Sequence, residues 1–111
     1  MTIIPIVRCR RMVVTVLEAY VATNRAADLQ AAYAEAAGGP FPPGLLRSTL
    51  LRDSSDSTKW RIETVWESHD TLAAMRAAGK PRGVRIFEAA GATPSLTVFD
   101  AIADLAPPKG A

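Results

Sequence analysis

The chain has 111 residues, enough for one hydrophobic core and short of the length at which cores divide. Apolar residues make up 49% and charged residues 22%, with a mean hydropathy of +0.10, which excludes a disordered or collagen-like chain and offers no membrane span. Thirteen basic and eleven acidic side chains give a net charge of +2; apart from Arg8, Arg10 and Arg11 they are interspersed by sign, so no basic stripe marks a nucleic-acid partner.

Residues 2–7 form a short apolar run followed by arginines, the reverse of a secretory signal, and no targeting segment is expected. Cys9 is the only cysteine, so one chain cannot build a disulfide or a Cys-based zinc site, which fits a reducing cytoplasm. Arg8, Cys9, Arg10 and Arg11 read as a polar extension of the first strand or as an anion-binding arm. Residues 12–22 are β-branched and apolar at both parities, which predicts strand one, covered on both faces. Thr23 or Asn24 then supplies a capping oxygen for a helix whose stripe of Leu29, Tyr33, Ala36 and Ala37 stops at Gly38 and Gly39. Twenty alanines against seven aromatics leave that stripe thin.

Residues 40–44 are too rich in proline for helix or central strand and read as a stiff connector. Strand two (45–52) and strand three (59–67) flank polar turn residues 53–57, a β-hairpin. Strand three alternates, with Trp60, Ile62, Thr64 and Trp66 on one face and Lys59, Arg61, Glu63, Val65 and Glu67 on the other. Ser68 caps the next helix, with Asp70 in its first turn; Gly79 interrupts it, and Pro81 suits the first position of a second helical piece ending at Gly91. Residues 95–105 make strand four, and 106–111 a tail.

The order β-α-β-β-α-β predicts one α+β domain over 1–111, with its core at 11–105: a ferredoxin-like antiparallel sheet with both helices on one face. Strands one and four are apolar at both parities, and leaving one face in water would forfeit about 1.5–3 kcal/mol per large side chain. A homodimer is therefore expected, its two sheets closing a dimeric α+β barrel, with Arg61 and Glu63 meeting the partner chain or solvent.

Val65-Trp66-Glu67-Ser68, running from strand three into a helix cap, resembles the antibiotic biosynthesis monooxygenase family of dimeric α+β barrels. Pro43-Gly44 ahead of strand two is similar to the Pro-Gly the family often carries there. The resemblance implies a pocket within each subunit, between sheet and helices, and a cofactor-independent monooxygenase acting on a small aromatic or polyketide-like compound. Trp66 corresponds to the family's tryptophan, so Trp60, Ile62 and Thr64 on its strand face should also look into the pocket. Quinone-forming members carry Asn four residues before this Trp and Tyr six after it; here those places hold Ile62 and Leu72. Haem-degrading members carry a second Trp where Met75 stands and an iron-ligating His near Val84 and Arg85, so haem ligation of that kind is not expected. The alternative is a non-catalytic ligand-binding or structural dimer.

The candidate catalytic residues are His69, Tyr33 and Arg85. His69 is the one side chain whose ordinary pKa lies near neutrality, and the positive helix end favours its neutral, basic form; the rival reading is a surface histidine. Tyr33 offers a hydroxyl to a phenol or carbonyl, or marks the edge of the core, as does Tyr20. Arg85, with Arg82, either holds a carboxylate or phenolate or lies on a solvated helix face. Trp60 and Trp66 stack a flat ligand or fill space over alanine-rich helices.

Overall fold

The β-branched run after Met12 and the alternating run after Thr58 pair as the two central strands of an antiparallel sheet. The computed structural model describes residues 6–8 and 12–107. Its elements in chain order begin with strands β1 (Ile6–Arg8) and β2 (Val13–Tyr20), a single 3-10 turn (Thr23–Arg25) and helix α1 (Ala26–Ala37). Strands β3 (Leu45–Arg52) and β4 (Lys59–Trp66) follow, then helices α2 (His69–Ala77) and α3 (Arg82–Ala89), and strands β5 (Ser95–Asp100) and β6 (Asp104–Ala106). The main sheet has the order β3-β4-β2-β5, antiparallel throughout. This is the predicted ferredoxin-like α+β arrangement.

Register decides what the helices cover. Val13 lies opposite Trp66, Thr15 opposite Thr64, Leu17 opposite Ile62 and Ala19 opposite Trp60, and all eight are buried on the face that carries the helices. Leu29 of α1 and Phe87 of α3 are fully buried over this face. Gly83 lets α3 sit down on β2: a Cβ there would stand 2.5 Å from Leu17 Cδ1. On the opposite face Glu18 meets Arg61 at 2.8 Å and Lys59 at 3.7 Å, and Arg61 reaches Glu63 at 3.4 Å. Arg61 and Glu63 thus find their opposite charges within the chain.

Several expectations need adjustment. Neither Thr23 nor Asn24 caps α1; their segment is wound into the 3-10 turn, closed by Arg25 N–H donating to Ala22 O at 2.8 Å, and the helix starts at Ala26. Pro81 is the N-cap of α3 and not its first residue, because its backbone (φ −57°, ψ 141°) is still extended. Strand four is two strands: β5 leaves the main sheet at Asp100, and β6 pairs instead with β1, Val7 opposite Leu105. Residues 6–8 therefore belong to a separate two-stranded ribbon and not to an extension of β2. Cys9, Arg10 and Arg11 of the proposed arm, and tail residues 108–111, lie outside the described residues. Among the described residues no helix is long and apolar enough to cross a membrane.

Candidate functional site

The strand-to-helix junction at Trp66 is built from local bonds that account for its sequence. Trp66, the last residue of β4, points to the helix face and donates its indole N–H to Thr15 Oγ1 at 3.0 Å, both groups being buried. The next residue, Glu67, donates its backbone N–H to Gly44 O at 2.8 Å. Ser68 and Thr71 then form a reciprocal capping box at the start of α2. Gly44 lies under that cap with φ +82°, and a Cβ there would fall 2.3 Å from Thr71 Cγ2. Glycine is the residue that both the backbone angle and the space admit.

Above this junction, between the helix face of the sheet and all three helices, lies a cavity of about 180 Å3. Its floor comes from Thr15 and Leu17 of β2 and Ile62, Thr64 and Trp66 of β4; Leu72 and Met75 of α2 and Phe41 and Pro42 of the connector close it on one side. Tyr33 of α1 lines it with its hydroxyl donated to Ser48 Oγ of β3 at 2.9 Å, which holds the ring against the wall. The surroundings are mainly apolar, and the charged side chains among the described lining residues are Arg76 and Arg82, with no carboxylate, histidine, cysteine or lysine beside them. Arg82 also donates to Ala36 O at 3.3 Å and Pro40 O at 2.5 Å, tying α3 to the end of α1. Among the described residues no three His, Cys, Asp or Glu side chains are grouped as a metal site would require.

The structure separates the residues singled out from the sequence. Ile62, Thr64, Trp66, Leu72, Met75 and Tyr33 all border the cavity. Trp60 does not: it lies at the other end of the same strand face, in the core with Leu29, Ile86 and Phe87. The Arg52 guanidinium sits 5.5 Å from its ring centroid, and the Trp60 indole N–H is buried with no hydrogen-bond partner among the described residues. His69 is outside as well, 64% exposed, with Nε2 2.5 Å from Asp100 Oδ1. Arg85 is exposed and does not line the cavity, whereas Arg82, one helical turn earlier, does. Sequence reasoning gave Arg76 and Phe41 no role; Phe41 had a usable signal, an aromatic within a stiff proline segment, while Arg76 reads as one more exposed helix position.

The sequence model of the antibiotic biosynthesis monooxygenase family matches residues 12–80. Among solved structures, the chain is similar to SnoaB, a cofactor-independent oxygenase from Streptomyces nogalater, with 26% identity, a TM-score of 0.63 and coverage of 82% of this chain and 93% of that one. It also shares its fold with candidate antibiotic biosynthesis monooxygenases of Caulobacter crescentus and Bordetella bronchiseptica. The first is 20% identical, with a TM-score of 0.63 and coverage of 84% of this chain and 92% of that one. The second is 17% identical, with a TM-score of 0.64 and coverage of 82% and 97%. A search among curated proteins found no match.

Proposed function

The chain belongs to the antibiotic biosynthesis monooxygenase family, and on that ground we propose that it is a cofactor-independent monooxygenase for a small aromatic or polyketide-like compound bound in the cavity beside Trp66. The observation that carries this reading is an apolar cavity at the Trp66 junction in a chain 26% identical to a cofactor-independent oxygenase. The reaction class is the oxidation of an acidic ring CH2 to a carbonyl. The substrate anion gives one electron to O2, the carbon radical and superoxide combine, and the protonated hydroperoxide expels water, so that CH2 and O2 become C=O and H2O. Trp66, Ile62 and Met75 would hold the ring and exclude water. Tyr33, whose hydroxyl proton goes to Ser48 Oγ, presents its oxygen as the candidate acceptor for a substrate hydroxyl.

A second reading, a non-catalytic ligand-binding dimer, is favoured by the absence of an obvious base among the described lining residues and by Ile62 and Leu72 at positions that are polar in quinone-forming relatives. Under the first reading the substrate must therefore ionise readily by itself. In both, two copies pack their open sheet faces together in the cytoplasm, covering Val14 and Phe99.

Oxygen uptake with anthrone-like and naphthol-like phenols under metal-free conditions tests the proposal. One O2 consumed per carbonyl formed, lost in Trp66→Ala and kept in His69→Ala and Arg85→Ala, is the expected result. Phenol binding without any oxygen uptake would leave the second reading in its place.

A further inference from the structure

Two positive charges border the cavity with no negative charge to meet them. Arg82 is held in place by the carbonyls of Ala36 and Pro40, which orient the guanidinium without neutralising it. Arg76, from the last turn of α2, borders the same space. Among the described residues neither makes an ion pair, whereas Arg25 meets Asp28 and Arg61 meets Glu18. Glu88 on α3 is engaged by Lys80 at 3.0 Å, and Asp70, which flanks a neighbouring shallow groove with Arg82, is beyond ion-pair reach of it. An arginine beside apolar walls interacts with an anion more strongly than it would in bulk water, and its planar fork matches a carboxylate.

The volume bounds the rest of the ligand. An apolar cavity of about 150 Å3 accommodates benzene, so about 180 Å3 takes up one ring, and a second fused ring extends through the cavity's open side. We infer that the cavity selects aromatic carboxylates of one or two rings, the ring lying against Trp66 and Met75 and the carboxylate held by Arg82 and Arg76. Met75 suits the ring side, because a thioether makes favourable contacts with an aromatic edge. This deepens the reading of the cavity as a substrate site and rests on it.

Calorimetric titration with 2-naphthoate and with neutral 2-naphthamide, of nearly equal shape, measures the charge preference apart from any turnover. The wild-type protein is expected to bind the carboxylate about tenfold tighter or more, as a charge-assisted pair predicts, with the gap narrowing as salt is added. Arg76→Gln, at an exposed position, and Arg82→Gln should each shrink the gap, and Arg76→Lys should keep part of it. Because Arg82 also ties α3 to α1, the Arg76 variants carry the test if Arg82→Gln unfolds. Equal affinity for the two probes, binding of neither, or a preference surviving in every glutamine variant that folds would overturn the inference. Naphthoate preference without oxygen uptake by hydroxynaphthoates would count against the monooxygenase reading alone. Uptake with neutral naphthols and no naphthoate preference would count against the charge selection alone.

Discussion

Thr15 and Trp66 meet across two adjacent strands as one buried hydrogen bond, 3.0 Å long, at the edge of the cavity. Thr15→Val keeps the shape and removes the acceptor, leaving the indole N–H unpaired. The expected cost is about 1–3 kcal/mol, read from the urea midpoint with an unchanged slope; a neutral result would mean that water serves the indole as well. The parity of strand three pointed Trp66 at the helix face, but Thr15 as its partner follows only from the pairing of β2 with β4. The same parity gave Trp60 the same direction. Its separation from the cavity arises because Leu29, Ile86 and Phe87 pack around it in the main core, while Trp66 belongs to a smaller cluster with Val13 and Leu72 that borders the cavity. His69 shows the limit of residue-level chemistry: imidazole is the commonest general base, yet the first turn of α2 turns this one outward toward Asp100.

The connector, β4 and α2 depend on one another through Gly44. Gly44→Ala sets a Cβ against Thr71 at a positive φ, with an expected loss of about 1–3 kcal/mol. Because the disturbed contact is the capping box, thermal melts of Gly44→Ala combined with Ser68→Ala should show less than the sum of the two single losses. Full additivity would dissociate the glycine from the cap. On the open face, the hydrogen bond from Arg61 holds the Glu18 carboxyl below its ordinary pKa, with Lys59 adding to it and desolvation opposing. A depressed folded-state value means that the stabilisation is fully present above the unfolded carboxylate range, about 4.3, and is lost as pH falls through the lower folded value. Thermal melts between pH 6 and pH 3 should fall less steeply for Glu18→Gln than for wild type, and identical slopes would remove Glu18 from the acid response.

A radius of gyration of 16.0 Å exceeds the roughly 13 Å of a compact chain of this length. The molecule measures 53 Å along its longest axis and 25 Å along its shortest. The β1–β6 ribbon stands outside the main sheet, and a two-stranded ribbon alone is marginal in water. β5 is exposed on both faces, with Leu96 at 48% and Phe99 at 51%, which is costly for a chain that ends its burial there. Light scattering at micromolar concentration should give twice the 11.8 kDa chain mass. Phe99→Glu, which alters a side chain already exposed in the single chain, should return it to the monomer mass without unfolding; a wild-type monomer would refute the dimer.

Hydrophobic period, turn residues and caps act over a few neighbouring positions, which is why the sequence by itself determined the strand and helix order of the main sheet, the α+β class, the buried face of β4 and the Ser68 cap. Pro43-Gly44 and Trp66-Glu67-Ser68 were legible as landmarks, although their mutual bonding was not. Only the tertiary structure decided which residues on that face meet the cavity, that Arg82 and Arg76 border it while Arg85 and His69 do not, and that strand four divides so that its end pairs with β1. Those outcomes depend on where α3 crosses the sheet and on which edge a strand finds, distances between segments far apart in sequence that no local pattern encodes.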